Sequence, residues 1–393
     1  MKKKVCILRS GDITFISRIH RTALALQESN KYDVTTLSIT PRDNVKRRDY
    51  IYKMSYVDIK SRVFKSSIFS ILRICEGLTK LFFKALKQKA DLYIAIGIED
   101  LIIVYLISKL TAAKFIYSAN ELEGDRKRVA NKKLNRSLNN FIISLERKML
   151  IGAESVIAAD IERAKLMQRW YKLDTVEVVR NVPIPENISS SDLIRKKLDL
   201  PQNQKILLYQ GMLSPGRGLE VTIKACSEIE SEDFCLVLLG FISNTYKEKL
   251  LDLASQYNFN RLYILPAVPW RELLYWTKSA DVSIVLIENV SISYYLAAPN
   301  KLYESIMVGV PYIASDFPEI NHVHTISKSG VLVDPENITG ISKAIHKLIN
   351  DQLFYEECVE NSLKAKNIFS WDVEKEKLLR IINNIFLESK SNY

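Results

Sequence analysis

The segment Leu207-Leu-Tyr-Gln-Gly-Met-Leu-Ser-Pro-Gly-Arg-Gly-Leu-Glu220 is the most informative part of this chain. An apolar run ends at Gln210, a loop with three glycines follows, and apolar residues at helical spacing begin at Leu219. Glycines let a backbone approach a ligand closely, and the N-terminus of a helix offers free N–H groups and a partial positive charge. Arg217 adds a cation that can grip a phosphate through two hydrogen bonds. An ordinary strand-to-helix turn with a solvated arginine is an equally open interpretation of this segment.

The segment from Ala297 to Asp316 contains a second candidate site. Pro299 suits the first turn of a helix, so Asn300 and Lys301 would lie near the positive end of that helix. Glu304 follows one turn later, on the same side as Lys301. A carboxylate there can accept hydrogen bonds from sugar hydroxyls, as acidic residues do for ribose in dinucleotide-binding folds. For a lysine and a glutamate on a first turn, however, a solvated pair is the commoner structure.

Short apolar strands alternate with longer helical patterns along the whole chain. Continuous apolar strands separated by helices are typical of parallel sheets that are covered on both faces. The pattern therefore predicts a doubly wound α/β architecture that occurs twice. The predicted strands are Val5–Leu8, Val34–Ser38, Leu92–Ile96, Phe115–Ser118, Ser155–Ala158, Val176–Val179, Ile206–Tyr209, Cys235–Leu239, Leu262–Leu265, Val282–Leu286, Pro311–Ala314 and Val331–Val333.

The two halves meet at Arg180-Asn-Val-Pro-Ile-Pro-Glu186. Two prolines in this segment interrupt both a helix and a central strand, so it is interpreted as an interdomain connection. A short helix, Ser190–Lys197, then leads to the new strand at Ile206. The last part of the chain, from Leu353 to Glu388, has a helical pattern.

The net charge of the 393-residue chain is +11, and the positive charge is concentrated at the N-terminal end. Residues 1–90 contain 20 Lys or Arg and 7 Asp or Glu, whereas residues 91–393 contain 36 and 38. Such a local surplus is compatible with nucleic acid, an anionic membrane surface or a phosphorylated substrate. No nucleic-acid-binding motif accompanies the charge, so nucleic acid is not expected as a partner.

Basic and apolar residues are mixed between Lys60 and Lys89. A helix of this kind can lie on anionic lipid, where each basic residue contributes about 1 kcal/mol. Its apolar face can equally pack on the first sheet while the lysines are solvated. Both interpretations stay open.

Cysteine spacing and the length of the apolar runs exclude several protein classes. The five cysteines lie far apart without a Cys-x-x-Cys pair, which argues against a disulfide framework or a zinc site. The longest apolar run, Leu101 to Ile107, is much shorter than the roughly 20 residues that span a bilayer. The apolar run before Arg9 is too short for a signal peptide. We therefore expect a cytoplasmic protein.

Taken together, the two candidate segments resemble the retaining nucleotide-sugar glycosyltransferases of family 4, which have the GT-B fold. The resemblance is clearest in the second half of the chain, and in the first half it rests on strand and helix order. Five elements follow the order of the family, namely Gln210–Glu220, Leu238–Gly240, Pro299–Glu304, Gly309–Pro311 and Gly330–Pro335.

This resemblance implies two Rossmann-like domains that face a cleft. Residues 1–180 would form the acceptor-side domain, residues 181–370 the donor domain, and residues 371–393 a helix that packs back on the first domain. No Asp-x-Asp motif occurs, so transfer without a metal ion or another cofactor is expected. The charge of the leaving diphosphate would instead be stabilised by Arg217, Lys301 and helix dipoles.

The resemblance also implies roles for individual residues at the donor. Arg217, Lys301 and Asn300 would contact the phosphates. Glu304 would contact the ribose, and backbone groups of the loop Leu265–Trp270 would hold the base. The implied donor-binding residues are Gly211, Arg217, Val268, Asn300, Lys301 and Glu304.

Three residues depart from the family pattern. Met212 stands where many members have an arginine, and Leu296 occupies the first position of the usual pair of glutamates. Asn120 stands where a histidine is expected after a strand of the first half. Asn120 and Glu121 are therefore the catalytic candidates of that half.

The remaining candidates of the first half lie near its N-terminus. By resemblance, Gly11 and Arg18 are on the acceptor side.

The histidines are not expected to act in catalysis or metal binding. His20 is expected at the surface rather than as a base. His322 and His324 are expected in a polar loop, since no cysteine or carboxylate cluster completes a metal site around them.

These observations predict a glycosyltransferase that moves a sugar, with retention, from a nucleoside diphosphate donor, expected to be a UDP-sugar, to a lipid-linked saccharide. Such a protein would be peripheral at the inner face of the cell membrane, with a partner glycosyltransferase as a further possibility. Two alternatives stay open: a non-catalytic GT-B partner subunit, and an epimerase or phosphorylase that acts on similar ligands.

Overall fold

The computed structural model describes residues 2–11, 17–39, 53–57, 67–119, 121–126, 132–230 and 233–388. The chain divides into two compact units, the first comprising Met1–Arg180 and Lys375–Tyr393 and the second Asn181–Glu374. Each unit contains a parallel sheet with helices, which confirms the doubly wound α/β class expected from the sequence. None of the helices in the described ranges is both long enough and apolar enough to cross a membrane.

The first unit is built on a sheet with seven described strands in the order β3-β2-β1-β4-β5-β6-β7. These strands are β1 Lys3–Arg9, β2 Tyr32–Ile39, β3 Lys53–Val57, β4 Leu92–Ala95, β5 Lys114–Ser118, β6 Ser155–Ala158 and β7 Glu177–Val178. The helices between them are α1 Ser17–Glu28, α2 Ser67–Gln88, α3 Ile98–Leu110, α4 Lys132–Leu150 and α5 Ile161–Tyr171.

The second unit repeats this plan with six described strands in the order β10-β9-β8-β11-β12-β13. Its strands are β8 Lys205–Gln210, β9 Phe234–Leu239, β10 Leu262–Leu265, β11 Val282–Val285, β12 Tyr312–Ser315 and β13 Gly330–Val333. Its helices are α6 Leu193–Leu198, α7 Leu219–Ser227, α8 Asn244–Gln256, α9 Leu273–Lys278, α10 Ile292–Tyr295, α11 Asn300–Val308, α12 Pro318–Ser327, α13 Ile338–Asn350 and α14 Gln352–Ala365.

Central strands are buried on both faces, as a parallel sheet between two helix layers requires. All six residues of β9 are buried, and so are the last five of β8. Each fully buried Val, Leu or Ile stabilises the fold by about 1.5–3 kcal/mol, so the continuous apolar runs seen in the sequence are the main source of sheet stability.

The last helix, α15 (Trp371–Glu388), packs on the first unit. Lys375 Nζ lies 2.7 Å from a carboxylate oxygen of Glu28, and Tyr32 donates a 2.7 Å hydrogen bond to Asn383. The rings of Tyr32 and Phe386 are 5.8 Å apart. These contacts confirm that the C-terminal helix returns to the first unit.

The strand order of each sheet reverses between two central strands. In the first unit the reversal lies between β1 and β4, and in the second between β8 and β11. Ligands of open α/β sheets bind outside the carboxyl ends of the strands at such a point. The loops that follow these four strands are therefore where a site is sought.

Candidate functional site

The glycine loop that follows β8 occupies the reversal point of the second sheet. Gly211, Gly216 and Gly218 have φ angles of +120°, +83° and +69°, which favour glycine. A Cβ atom on Gly218 would lie 2.6 Å from Cβ of Leu286, so the start of α7 packs directly on the chain after β11. A Cβ atom on Gly211 would have no neighbour within 4 Å, so Gly211 borders open space.

Glu288 holds this loop in place from the chain after β11. Its carboxylate accepts a 3.3 Å hydrogen bond from the backbone N–H of Gly218, and its own N–H donates to the carbonyl of Gly216 at 3.0 Å. Sequence reasoning missed Glu288, because the partners are about 70 positions apart and no motif marks the pairing.

Arg217 is half-buried at the end of the loop and stacks on an aromatic ring. The centre of its guanidinium lies 4.6 Å from the ring centroid of Tyr294, a cation–π contact that fixes the plane of the group. Its Nε is buried and makes no hydrogen bond within the described part of the chain. The stacked guanidinium is thus oriented by the ring without using that donor.

Lys301 lies on the first turn of α11 and is only 6% exposed. Its Nζ sits 3.3 Å from the ring centroid of Tyr209 and makes no hydrogen bond to any described residue. Burial, reinforced by the charge of Arg217 and opposed by that of Glu304, lowers the pKa of Lys301 well below the ordinary lysine value. The commoner solvated pair is therefore not what this turn forms.

Glu304, one turn further along α11, is held by a buried amide. Gln210, the last residue of β8 and 2% exposed, donates from Nε2 to Glu304 Oε2 at 2.6 Å. Thr277, on α9, donates to Oε1 of the same amide at 2.7 Å. Sequence reasoning missed Gln210 and Thr277, although a polar residue at the end of an apolar strand was a usable signal.

The other two donor candidates lie at the edge of this arrangement. Asn300 is exposed, and its Oδ1 accepts a 2.9 Å hydrogen bond from Asn181 Nδ2. Val268 is half-buried and packs against the apolar cluster beside β8 and β9. The structure therefore brings Gly211, Arg217, Lys301 and Glu304 together around the end of β8, with Asn300 adjacent to Lys301.

Comparison with known proteins finds a family match in the second unit. Residues 190–365, which include all the residues of this arrangement except Asn181, match the family described as glycosyl transferases group 1. The whole match lies within the second unit, Asn181–Glu374.

Two sequence relatives of the chain are bacterial. The D-inositol 3-phosphate glycosyltransferase of Xylanimonas cellulosilytica is 25% identical over 240 residues, which are 58% of this chain and 56% of the relative. The putative colanic acid biosynthesis glycosyl transferase WcaI of Escherichia coli is 24% identical over 234 residues, 58% of this chain and 54% of the relative. The chain thus spans about half the length of these relatives.

Solved structures with low sequence identity share the fold of this chain. The sucrose-phosphate synthase of Thermosynechococcus elongatus matches with a TM-score of 0.79 at 17% identity, over 98% of this chain and 100% of that one. HepE of Anabaena in complex with UDP-glucose matches with a TM-score of 0.71 at 13% identity, over 97% and 99%. WaaG, a glycosyltransferase involved in lipopolysaccharide biosynthesis, matches with a TM-score of 0.68 at 15% identity, over 95% and 98%. These likenesses assign the chain to the GT-B fold.

In the first unit, two of the predicted candidates are engaged by neighbouring side chains. Arg18 is buried and donates a 3.2 Å hydrogen bond to Ser118 at the carboxyl end of β5. Glu121 is exposed and pairs with Arg126 at 2.7 Å. Gly11 follows β1 and is half-exposed. Asn120 lies outside the described residues.

Asp100 is a charged group of the first unit that sequence reasoning did not single out. It is fully buried, and its carboxylate accepts the N–H groups of Ser10 at 2.6 Å and Gly97 at 2.9 Å. Arg9 Nη1 lies 3.8 Å away. Burial raises the pKa of Asp100 to about 7, and Arg9 with the two N–H groups opposes the rise.

The expectations for the histidines were wrong. His20 is fully buried in α1 rather than at the surface. His322 and His324 lie within α12 rather than in a loop, and His324 is 3.1 Å from the hydroxyl of Tyr312. Within the described ranges, no three His, Cys, Asp or Glu side chains are grouped so that they could hold a metal ion.

Proposed function

We propose that this protein transfers a sugar, with retention, from a UDP-sugar to a lipid-linked saccharide. The observation that carries the proposal is the side-chain nitrogen of Lys301, which is buried beside Arg217 without a hydrogen-bond partner among the described residues. A buried amino group without a hydrogen bond is costly to the free protein, and a charged one more so. Its retention at the reversal point of the donor-side sheet is explained by an anion that binds there.

In the proposed mechanism, the two basic residues bind the leaving group. Arg217 and Lys301 hold the diphosphate and stabilise the charge that develops as the bond from the sugar to the phosphate oxygen breaks. The acceptor hydroxyl forms the new bond to the same carbon from the same face. Its proton is passed to the departing diphosphate, so the products are the glycosylated acceptor and UDP.

The remaining donor residues fix the position of the nucleotide. Glu304, oriented by Gln210, accepts hydrogen bonds from the ribose hydroxyls. The open space beside Gly211 admits the diphosphate. Asn300 assists at the phosphates, and the backbone around Val268 holds the base. On the acceptor side the candidates are Gly11, Arg18, Asn120 and Glu121.

The relatives support a UDP-sugar as the donor and a lipid-linked saccharide as the acceptor. HepE was solved in complex with UDP-glucose, and WaaG and WcaI are described as acting in lipopolysaccharide and colanic acid biosynthesis. The surplus of basic residues in positions 1–90 supports a place at the anionic inner face of the cell membrane.

Thermal unfolding of the full chain with UDP, GDP and their sugars tests the donor. A ligand that binds only the folded state raises the unfolding temperature, so UDP and one or more UDP-sugars should raise it and Arg217→Ala should abolish the rise. Absence of any shift with every nucleotide would contradict the proposal.

Incubation with a labelled UDP-sugar then separates the reaction classes. Transfer requires a lipid-linked acceptor, whereas an epimerase converts the sugar without one. Binding without transfer across a panel of lipid acceptors would assign the chain to the non-catalytic partner subunits, the alternative suggested by Met212 and Leu296.

A further inference from the structure

One helix layer of the first unit carries an unusual number of exposed apolar side chains. In the described part of this unit, nine large apolar side chains are exposed, and all but Leu387 belong to α2, α3, α4 or the residue just after α4. We call these eight residues, with the exposed basic residues of the same helices, the outer helical face. The eight are Ile74, Phe83, Ile102, Leu106, Leu110, Leu134, Phe141 and Ile151.

The sheet topology places α2, α3 and α4 side by side. They connect β3 to β4, β4 to β5 and β5 to β6, and each connection moves in the same direction across the sheet. Because such crossovers are right-handed, all three helices lie on one side of the sheet, and α1, which moves the other way, lies on the opposite side. Their outward side chains therefore form one continuous surface.

The middle helix of this layer is apolar on both sides. Leu101, Val104 and Ile107 face the core and are fully buried. On the opposite side Ile102, Leu106 and Leu110 follow one another at a spacing of four residues, and Leu110 is 67% exposed. A surface helix of a soluble domain is normally polar on its outer side, and a contiguous exposed apolar patch marks an interaction site.

Among the described side chains of α2, α3 and α4, every exposed charged one is basic. Among residues 74–88, 98–110 and 132–150, the four acidic side chains, Glu76, Glu99, Asp100 and Glu146, are half-buried or buried. The exposed charged side chains are Lys87, Lys109, Lys132, Lys133, Arg136, Arg147 and Lys148. In contrast, exposed Leu251 on α8 of the second unit lies between exposed Glu248 and Asp252.

We propose that the outer helical face docks on an anionic lipid bilayer. Apolar side chains among cations match the interface of such a bilayer, where apolar groups insert and basic groups meet lipid phosphates. The exposed Glu154, three residues after Ile151, is paired with Lys114. Lipid binding was one of two open interpretations of the segment from Lys60 to Lys89, and the proposal extends that surface to α3 and α4. The inference rests on the proposed function only in that a lipid-linked acceptor would be met at this surface.

Co-sedimentation of the full chain with vesicles, without nucleotide, tests this docking. The probes are vesicles of phosphatidylcholine alone and vesicles with about 30% phosphatidylglycerol. We expect binding to the anionic vesicles to exceed binding to the neutral ones by at least about tenfold, and to fall in about 0.5 M salt. Equal binding to both vesicles, or no binding, would overturn the proposal.

Matched variants locate the surface. Leu106→Ser with Leu110→Ser should lower vesicle binding by about tenfold, and Lys133→Gln with Arg147→Gln and Lys148→Gln by about a hundredfold, from roughly 1 kcal/mol per basic residue. Leu251→Ser with Leu353→Ser, on exposed positions of the second unit, should leave it unchanged. Losses as large in these control variants would place the contact elsewhere, and self-association of the wild type without vesicle binding would assign the face to a second copy of the chain.

Failure of this proposal is distinguishable from failure of the proposed function. The rise in unfolding temperature with UDP is measured without lipid. The variant with both leucine substitutions in α3 and the variant with the three basic substitutions in α4 should both keep this rise. Vesicle binding without any nucleotide effect would leave the docking surface standing and remove the transferase assignment.

A different observation concerns Gln210 and the donor ribose. An ionised carboxylate only accepts hydrogen bonds, so the amide nitrogen of Gln210 must face Glu304 and its oxygen must face Thr277. The hydroxyl of Thr277 has one proton, which it shares between Oε1 of Gln210 at 2.7 Å and the carbonyl of Leu273 at 2.8 Å. The chain of bonds has one direction, from Thr277 through Gln210 to Glu304, and both polar ends of the buried amide are used.

We infer that Gln210 is a positioning residue that orients Glu304 for the ribose hydroxyls of the donor. This inference rests on the proposed ribose contact of Glu304. Loss of the amide would remove the 2.6 Å hydrogen bond that holds this carboxylate oxygen in its present orientation. The consequence is specific for the sugar of the nucleotide rather than for its phosphates.

Calorimetric affinities for UDP and for its 2′,3′-dideoxy analogue test this role in Gln210→Leu and Glu304→Ala. We expect Gln210→Leu to weaken UDP binding by about tenfold, as for a lost hydrogen bond to a charged group, and to leave the dideoxy analogue nearly unaffected. Thr277→Val should show the same pattern with a smaller effect. Equal losses for both nucleotides in Gln210→Leu would overturn the inference. Equal losses in Glu304→Ala would instead remove the ribose contact on which it rests.

Discussion

The two units share a strand order but use the point where it reverses in opposite ways. Beside β1 and β4, the buried carboxylate of Asp100 accepts two backbone N–H groups of its own unit and lies close to Arg9. Beside β8 and β11, the buried ammonium of Lys301 has no hydrogen-bond partner in the described structure. The first charge is satisfied internally, whereas the second is available to a ligand.

Net charge does not explain this difference. Residues 1–90 carry a surplus of 13 positive charges, while residues 91–393 carry 36 basic and 38 acidic residues. The nearly neutral part of the chain therefore holds the cations proposed to bind the donor. Two placed residues, Arg217 and Lys301, matter more at that site than the long-range field of the basic end.

The largest expected effect is on the free energy of unfolding and comes from Asp100 in the first unit. Burial raises the pKa of Asp100 from an ordinary 3.8 to about 7, with Glu99 adding to the rise and Arg9 opposing it. The folded state then binds the proton more tightly than the unfolded state, so stability falls as pH rises from about 4 to 7, by up to about 4 kcal/mol. Asp100→Asn, which resembles the protonated form, should therefore gain unfolding temperature relative to wild type between pH 5 and pH 8.

Asp91→Asn is the matched control for this pH dependence. Asp91 precedes β4, accepts a 2.8 Å hydrogen bond from the N–H of Lys4 and is partly open to solvent. A pH-dependent gain seen for Asp100→Asn and not for Asp91→Asn would assign the dependence to the buried site. A difference between Asp100→Asn and wild type that does not change with pH would show that the carboxylate is ionised throughout the range.

Arg217→Ala should have the next largest effect, on turnover rather than on stability. Loss of one donor that stabilises a developing charge typically lowers turnover by a factor of order 100. Lys343→Ala removes an exposed cation on α13 of the same unit and should leave turnover unchanged. Donor-dependent turnover at the wild-type level in Arg217→Ala would contradict the phosphate assignment.

Most of the fold could be predicted because the signals are local. Apolar runs bounded by turn residues marked twelve of the thirteen strands described here. The exception is β3, Lys53–Val57, an edge strand that is short and mixed in polarity. Its partner β2 is the preceding strand of the chain, but the sequence Lys53-Met-Ser-Tyr-Val57 lacks the continuous apolar run that marks the central strands.

The candidate site could be predicted only where its residues fall in short motifs. Arg217 and Lys301 were found from a glycine loop and a helix start, which are local. Gln210 pairs with a residue 94 positions away, and neither partner indicates the other in the sequence. Burial is equally non-local, because the helical position of His20 does not reveal which layer will cover it.

Lys301→Met should have a smaller effect, a loss of affinity for UDP that depends on pH. A bound diphosphate stabilises the ammonium and raises the lowered pKa of Lys301, so binding takes up protons between the lowered pKa and the ordinary value of 10.5. Affinity for UDP should therefore fall as pH rises through this range. Lys301→Met should bind UDP about tenfold more weakly at neutral pH and should lose the slope, as measured by calorimetry above about pH 7, where the phosphate no longer titrates. An unchanged slope in the variant would assign the proton uptake to another group.

The smallest expected effect separates backbone strain from ligand contact in the second unit. Gly211 and Gly309 both have positive φ, so alanine at either position should cost about 1–2 kcal/mol of stability, or a few degrees of unfolding temperature. A methyl group on Gly211 would project into open space, whereas one on Gly309 would meet Leu363 at 3.1 Å. Gly211→Ala should therefore weaken UDP binding by a further few-fold, and Gly309→Ala should not. If both variants lose stability and neither loses affinity, the space beside Gly211 does not receive the diphosphate, and the contrast between the two reversal points then rests on Arg217 and Lys301 alone.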